Sequence, residues 1–127
     1  MSATYTIYHN PNCSKSRQTL AMLAQYDIHP TVINYLETPP DAARLAQLLA
    51  LLSLAPGAFI RRKEAAYADA QLDGDAQDDA TLLAAMVAHP ILIERPIVVR
   101  SDALGETAVL GRPPENVLSL IEAQPGA

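Results

Sequence analysis

The sequence predicts an α/β fold built on one mixed four-stranded sheet, and three observations lead to this prediction. The first 35 residues read as a strand, a helix and a second strand. The middle of the chain, about 41–90, has the spacing of amphipathic helices. The remainder reads as two strands joined by a short loop and followed by a helix. The expected order is therefore βαβ, a helical insertion, then ββα.

The first three elements form a βαβ unit. Residues 5–8 are β-prone and stop at the turn formers 9–12. From Ser14 the pattern becomes helical, with Ser14 or Ser16 as candidate caps of the first turn. Residues 31–35 then read as the second strand. Two strands and a helix in about 30 residues predict a parallel pair with a right-handed crossover.

The middle of the chain contains three helical segments. Asp41 is the candidate N-cap of the first, a shorter segment covers about 57–62, and Asp78 or Asp79 caps the third, which ends at 89–90. The stripe of the first segment, at i, i+3, i+4 and i+7, consists of Leu45, Leu48, Leu49 and Leu52. We expect these apolar stripes to form the core.

The last segments complete the sheet. Residues 97–100 and 107–110 read as strands, and the short loop with Gly105 between them predicts an antiparallel hairpin. A final helix is expected from Pro113-Pro114 to Pro125-Gly126. A mixed four-stranded sheet with an inserted helical subdomain is the thioredoxin-like arrangement. We expect residues 1–127 to form a single domain of this type, with the insertion at about 41–90.

Composition and charge exclude several classes of function. Half of the 127 residues are hydrophobic, which excludes a disordered tail. The net charge of −5 argues against general affinity for nucleic acid or anionic membranes. The longest apolar run, 82–88, is far short of the roughly 18 residues of a membrane span. With no basic or apolar leader and no possible internal disulfide, we expect a soluble, cytoplasmic monomer.

The one cysteine, Cys13, is the candidate nucleophile. It lies among polar residues, where the first strand passes into the first helix. Free backbone N–H groups and the helix dipole stabilise negative charge there, so we expect a lowered thiol pKa. Lys15 and Arg17 add positive charge, and His9 is close enough in sequence to help deprotonate the thiol.

The residues that follow Cys13 exclude other cysteine chemistries. Ser16 stands where a thioredoxin-type dithiol needs its second cysteine, and Thr19 stands where a cysteine phosphatase needs arginine. One cysteine and three scattered histidines have no zinc-ligand spacing, so no metal is expected.

Three ordered motifs give the chain a resemblance to a known family. Residues 9–17, His-Asn-Pro-Asn-Cys-Ser-Lys-Ser-Arg, followed by Leu20, resemble the active-site segment of the glutaredoxin-coupled arsenate reductases. Residues 94–99, Glu-Arg-Pro-Ile-Val-Val, resemble the second motif of that family, and residues 111–115, Gly-Arg-Pro-Pro-Glu, resemble the third. The resemblance covers essentially the whole chain.

The resemblance implies a role for each motif residue. Cys13 is the nucleophile, His9 tunes it, and Pro96 is the cis-proline that faces it. The residues implied or expected to bind arsenate and the arsenite intermediate are Arg61, Arg95, Arg112, Arg17 and Ser16. Since Arg61 lies beside Arg62 in the sequence, either could be the substrate arginine of the middle helix.

Reduction of arsenate to arsenite takes two electrons, which two thiols supply by closing to a disulfide. This chain has one thiol, so the second must come from outside. The resemblance implies glutathione as the co-substrate and glutaredoxin as a partner, with no tightly bound cofactor. Two alternatives remain open: an Spx-type regulator that binds RNA polymerase, which commonly uses the Cys-x-x-Cys pair absent here, and a related oxidoreductase that reduces glutathionylated substrates.

Overall fold

The computed structural model describes residues 3–122, and within them the chain forms four strands and six α-helices. None of these helices is long and apolar enough to span a membrane. Two 3₁₀ turns, Pro90–Leu92 and Pro114–Val117, complete the regular structure. In chain order the elements are β1 (Thr4–His9), α1 (Ser14–Gln25), β2 (Thr31–Asn34), α2 (Ala42–Leu52), α3 (Pro56–Phe59), α4 (Ala65–Asp69), α5 (Asp79–Ala88), β3 (Ile97–Asp102), β4 (Gly105–Leu110) and α6 (Leu118–Glu122).

The chain divides into two compact units. The first contains the residues up to Tyr35 and those from Arg95 onward, and it therefore holds the four strands with α1 and α6. The second, Leu36–Glu94, holds α2 to α5 and spans the range of the expected insertion. Whether 1–127 behave as a single domain stays a prediction.

The first unit contains the predicted mixed sheet, with strand order β2-β1-β3-β4. β1 and β2 are parallel, while β3 is antiparallel to both β1 and β4. The expected parallel pair and the expected hairpin are both confirmed. Gly105 opens β4 with a φ of +122°, a conformation that residues with a Cβ rarely adopt.

One face of this sheet packs on the helices of the first unit. Ile7 of β1 pairs with Val98 of β3, which pairs with Val109 of β4, so the three side chains lie in a row. Leu23 of α1 and Val117 of the 3₁₀ turn before α6 pack against this row. Their burial fixes α1, and hence the residue at its amino terminus, relative to the strand ends.

The second unit is built from short helices whose starts were partly visible in the sequence. The Asp41 side chain accepts a hydrogen bond from the Arg44 N–H at 2.8 Å, and Asp78 accepts one from Thr81 at 2.8 Å. Both predicted caps are confirmed, with Asp78 rather than Asp79 as the cap of α5. The core of this unit includes Leu45, Leu48, Leu49, Leu82 and Met86.

Two local expectations were wrong, and one helix was not anticipated. α3 ends at Phe59, because Ile60 is extended (φ −63°, ψ 140°), so the segment predicted to reach residue 62 is shorter. α4 was not anticipated. α1 is preceded by Cys13 at the N-cap position, so neither Ser14 nor Ser16 caps it. The predicted end of the last helix, 125–126, lies outside the described residues.

Candidate active site

A tight turn places Cys13 at the start of α1. The Cys13 N–H donates to the Asn10 carbonyl at 3.0 Å, and the Asn12 N–H donates to the Asn10 side-chain oxygen at 2.9 Å. Asparagine favours such turns because its side chain can replace a backbone acceptor. The Arg17 N–H then donates to the Cys13 carbonyl at 3.0 Å, which begins the helix.

The Cys13 sulfur lies among hydrogen-bond donors, with only 8% of the residue exposed. Burial raises the pKa of the thiol, but the Ser16 N–H, the Arg95 guanidinium and the Lys15 N–H together bring that pKa below its ordinary value. The Arg112 Nη1 lies 3.6 Å from Sγ, where its positive charge also favours the thiolate. The expected ionised sulfur at a helix start therefore has a structural basis.

The sheet register brings the two arginines of the first unit to the same place. Ile97 at the start of β3 pairs with Leu110 at the end of β4, so the residues just outside these positions share one sheet end. Arg95 and Arg112 both lie there, and the Arg112 Nη1 is 3.4 Å from the Arg95 carbonyl oxygen. β1 also ends there, because Tyr8 pairs with Ile97. Sequence-distant motifs thus converge beside Cys13.

Two peptide bonds at this end of the sheet are cis. One joins Arg95 to Pro96, the residue expected to be the cis-proline, and the other joins Arg112 to Pro113. Pro96 is buried. The second cis bond was not anticipated from the sequence.

His9 reaches the thiol through Ser16. Its Nδ1 lies 2.6 Å from the Ser16 hydroxyl, which also accepts the Asn10 N–H at 3.0 Å. The Ser16 backbone N–H in turn faces the Cys13 sulfur. Burial first, and then the charge of Arg17, lower the pKa of His9, so its ring is neutral at pH 7. A tuning role for His9, and substrate binding by Ser16, stay predictions.

Arg17 braces the turn before the helix. Its Nη1 donates to the Pro11 carbonyl at 2.8 Å, and its side chain is exposed. This contact stabilises the segment between β1 and Cys13. Its predicted role in substrate binding stays a prediction.

Arg61 belongs to the second unit, where two carboxylates hold it. Its Nε donates to Glu64 at 2.9 Å, and its Nη1 donates to Glu94. Burial alone lowers the pKa of Arg61, but these carboxylates raise it above its ordinary value, so the guanidinium stays charged. Arg61 lies outside α3, contrary to the expectation that it belongs to the middle helix.

The neighbouring Arg62 has partners of its own in the second unit. Its Nη2 donates to the Gly57 carbonyl at 2.7 Å and to Asp75 at 3.0 Å. Arg62 therefore joins α3 to the turn around Asp75. Which of Arg61 and Arg62 serves as a substrate arginine stays a prediction.

Thr19 and Gly111 also belong to the site, although the sequence gave little sign of either. The Thr19 hydroxyl lies 2.7 Å from the Lys15 carbonyl and 3.1 Å from the Gly111 carbonyl. The Gly111 N–H donates to the Pro96 carbonyl at 2.9 Å. The one available signal was the glycine directly before Arg112 in the third motif.

Residues 3–122 contain no group of three or more His, Cys, Asp or Glu side chains placed to hold a metal ion. The described residues of the site bring one thiol, that of Cys13, beside the guanidinium groups of Arg95 and Arg112. Such a site can attack an electrophilic centre while the guanidinium groups bind its oxyanion. Together with the sheet, it defines a thioredoxin-like protein with a single activated cysteine.

Comparisons with known proteins identify the family. Residues 8–120 match the model of the ArsC family, and the chain belongs to this family. The chain is 43% identical over 122 residues to the uncharacterized protein YfgD of Escherichia coli (strain K12), covering 95% of this chain and 99% of that protein. It is 45% identical over 118 residues to the arsenate reductase of Rhizobium meliloti (strain 1021), covering 93% and 81%.

A solved structure supports the same assignment. The arsenate reductase from Vibrio cholerae has 47% sequence identity to this chain and superposes with a TM-score of 0.85. The match covers 94% of this chain and 98% of that chain. The thioredoxin-like fold expected from the order of the elements is thereby confirmed.

Proposed function

We propose that the protein is an arsenate reductase that uses Cys13 as its nucleophile, glutathione as co-substrate and glutaredoxin as partner. The observation that carries the proposal is the Cys13 sulfur at the start of α1, with the Arg112 Nη1 at 3.6 Å and Arg95 as a further donor. The named activity of relatives that match nearly the whole chain supports arsenate as the substrate.

The first step forms a bond between sulfur and arsenic. The Cys13 thiolate attacks As(V), and an arsenate oxygen leaves as hydroxide, which takes up a proton as water. Arg95 and Arg112 neutralise the arsenate oxygens, which would otherwise repel an incoming thiolate. The resemblance adds Arg61 as a third arginine, and this assignment stays a prediction.

The second step transfers two electrons to arsenic. Glutathione adds its sulfur to the arsenic of the Cys13 adduct, and a second oxygen leaves as water with the proton of the glutathione thiol. A glutaredoxin thiolate then attacks the glutathione sulfur, and the electron pair of the arsenic–sulfur bond stays on arsenic. The two external sulfurs end as a mixed disulfide, and arsenic remains on Cys13 as As(III). Water hydrolyses the remaining bond, which releases arsenite and regenerates the thiol.

The electrostatics of the site fit this sequence of steps. A thiol with a lowered pKa is ionised in a larger fraction at neutral pH, and the thiolate is the reactive form. Hydrolysis at the end also requires a good leaving sulfur, which a low thiol pKa provides. We propose the cytoplasm as the compartment, because glutathione keeps thiols reduced there. The monomeric state stays a prediction.

The main rival is a related oxidoreductase that acts on glutathione mixed disulfides. Its chemistry needs the same activated Cys13, and arginines could equally bind the carboxylates of glutathione. The Spx-type regulator requires no such arginine pair beside the sulfur, so Arg95 and Arg112 favour an enzyme. The two enzymes differ in their electrophile, arsenic in one case and sulfur in the other.

The experiment compares turnover of the two electrophiles. Purified protein is assayed for arsenite formation with glutathione and glutaredoxin, and in parallel for reduction of a glutathione mixed disulfide. We expect arsenite formation by the wild type, none by Cys13→Ser, and wild-type rates for the neighbouring surface variant Ser14→Ala. Normal arsenite formation by Cys13→Ser would rule out the proposal, and turnover of the mixed disulfide alone would favour the rival.

A further inference from the structure

Gly111 joins three segments that surround the Cys13 sulfur. Its carbonyl accepts a hydrogen bond from Thr19 of α1 at 3.1 Å, and its N–H donates to the Pro96 carbonyl at 2.9 Å. Gly111 directly precedes Arg112, and Pro96 directly follows Arg95. One residue therefore connects the helix that supplies the backbone donors with the two arginine-bearing segments.

There is no room for a side chain at Gly111. A methyl group built on it would lie 2.5 Å from the Thr19 Oγ1 and 2.8 Å from the Pro96 Cγ, closer than real Cβ contacts. Gly111 is buried, and Thr19 has no exposed surface. Contact this close is what allows the backbone of residue 111 to reach both neighbours.

The Thr19 hydroxyl does more than satisfy its own helix. Threonine in a helix commonly bonds the carbonyl four residues earlier, and Thr19 does so with Lys15 at 2.7 Å. Because a hydroxyl carries a single proton, Thr19 shares it between Lys15 and Gly111, a residue 92 positions away. The hydrogen bond to Gly111 does not stabilise α1 itself. It links α1 to the segment that carries Arg112.

Asn116 holds the same segment from the other side. Its side-chain nitrogen donates to the Leu110 carbonyl at 3.0 Å and to the Arg112 carbonyl at 3.2 Å. The backbone on both sides of Gly111 is therefore fixed. The Thr19 bond to the Gly111 carbonyl lies between these two contacts, so the backbone from which the Arg112 side chain extends depends on Thr19 as well as on Asn116.

We infer that Thr19 and Gly111 are positioning residues that hold the Arg112 guanidinium against the Cys13 sulfur. The effect of these two residues on arsenate turnover rests on the proposed function. It concerns geometry that exists before any substrate binds. A displacement of about 1 Å at a reacting centre can lower a rate by about 100-fold, so such positioning matters to the reaction.

The test uses a pair of variants that separate the hydroxyl from the packing. Thr19→Val keeps the shape and removes the hydroxyl, whereas Thr19→Ser keeps the hydroxyl and removes a methyl group. Each is made in the wild type and in an Arg112→Gln background. The first readout is the pH dependence of Cys13 alkylation by iodoacetamide, which needs neither arsenate nor glutaredoxin. The second readout is kcat/KM for arsenate.

We expect Thr19→Val to raise the apparent pKa of Cys13 alkylation by about half a unit to one unit, since part of the effect of a nearby opposite charge is lost. We expect kcat/KM for arsenate to fall about tenfold. Thr19→Ser should stay close to the wild type in both readouts. In the Arg112→Gln background, Thr19→Val should produce no further shift, because the group it positions is gone.

Gly111→Ala is the second, independent variant. Its added methyl group must push Thr19 or Pro96 away, so it should shift the alkylation profile at least as far as Thr19→Val. Circular dichroism confirms that each variant is folded before it is compared.

Two results would overturn the inference. One is an alkylation profile of Thr19→Val that matches the wild type, and the other is an equal shift in the presence and absence of Arg112. A wild type that fails to reduce arsenate would instead count against the proposed function, while the alkylation profiles would still decide the positioning role.

Discussion

Two different kinds of donor stabilise the Cys13 sulfur. The N–H groups of Lys15 and Ser16 are fixed by α1, and the guanidinium groups of Arg95 and Arg112 bring full positive charge. Burial of the sulfur acts against both kinds of donor, because a buried thiolate loses its hydration. The ionised form of this largely buried thiol therefore depends on the Ser16 N–H, on Arg95 and on the Lys15 N–H, which together bring its pKa below the ordinary value.

Loss of one arginine should consequently reduce the reactivity of the thiol at neutral pH. We predict that Arg95→Gln raises the apparent pKa of Cys13 by about one unit or more, since both a hydrogen bond and a charge are lost. The measurement is the rate of alkylation between pH 5 and pH 10. The matched control, Arg44→Gln on α2, should reproduce the wild-type curve, and coincidence of the Arg95→Gln curve with it would contradict the prediction.

Residue roles were predictable only where the sequence itself carried the signal. Cys13 stood out because its neighbours are polar and a strand gives way to a helix there. The contact between Thr19 and Gly111 joins residues 92 positions apart, and no local pattern encodes such a distance. Of the two carboxylates on Arg61, Glu64 is three residues away, but Glu94 is 33 positions away and no local pattern encodes that contact. Sequence spacing alone therefore indicated a charged surface as readily as a guanidinium held by two carboxylates.

At the scale of elements, α1 and α2 begin in different ways. α2 has a side-chain cap, Asp41, whereas α1 has Cys13 at that position and no side-chain cap bond. The Ser16 and Lys15 N–H groups of the first turn face the Cys13 sulfur instead, and they lower the pKa of the thiol. The start of α1 therefore also holds the proposed nucleophile.

The cap of α2 should contribute measurably to stability. We predict that Asp41→Ala lowers the free energy of unfolding by about 1 kcal/mol, because the Arg44 N–H loses its acceptor. Asp41→Asn, which keeps a side-chain oxygen in place, should stay close to the wild type. Urea denaturation of the three proteins measures the difference, and equal midpoints would show that the cap contributes nothing.

Element boundaries were predictable where caps and prolines mark them. Asp41 and Asp78 mark two helix starts, and His89-Pro90 marks the end of α5. α3 was predicted too long and α4 was missed, because short helices lack a full apolar stripe and depend on tertiary packing. Ile60, where α3 ends, has extended backbone and is buried.

At the scale of the whole molecule, the buried His9 links global stability to pH. Its pKa is lowered in the folded state by burial and by Arg17, relative to about 6.5 in the unfolded chain. Above pH 6.5 the ring is neutral in both states, and His9 contributes no pH dependence. As the pH falls below 6.5, the unfolded chain binds the proton first, so stability decreases until the pH passes the folded value.

We therefore predict that stability falls as the pH drops through 6.5, by about 0.7 kcal/mol per pH unit at pH 6.5 and by at most about 1.4 kcal/mol per unit at lower pH. Chemical denaturation at a series of pH values from 7.5 to 5 measures it. His9→Asn, which cannot titrate in this window, should show a flatter dependence whatever its stability at pH 7. An equally steep dependence in that variant would assign the effect to other groups.

The overall topology could be predicted from the sequence because each of its parts is formed by residues that lie close together in the chain. A βαβ unit and a hairpin with a two-residue loop each encode their own pairing, and four strands then combine in few ways. The helical insertion was predicted at about 41–90, but the exact limits of the second unit, Leu36 and Glu94, were not, since no change in composition marks them. Packing within each unit decides where one ends.

The single sulfhydryl of the chain has a practical consequence. Any thiol-directed probe labels only Cys13 in this chain. The stoichiometry of labelling therefore gives the fraction of molecules with a reactive thiol, and no other cysteine of the chain contributes to it. Intact mass spectrometry can likewise follow every covalent intermediate as a discrete mass increment on one atom. Each chemical step proposed at Cys13 can therefore be followed at a single atom of the protein.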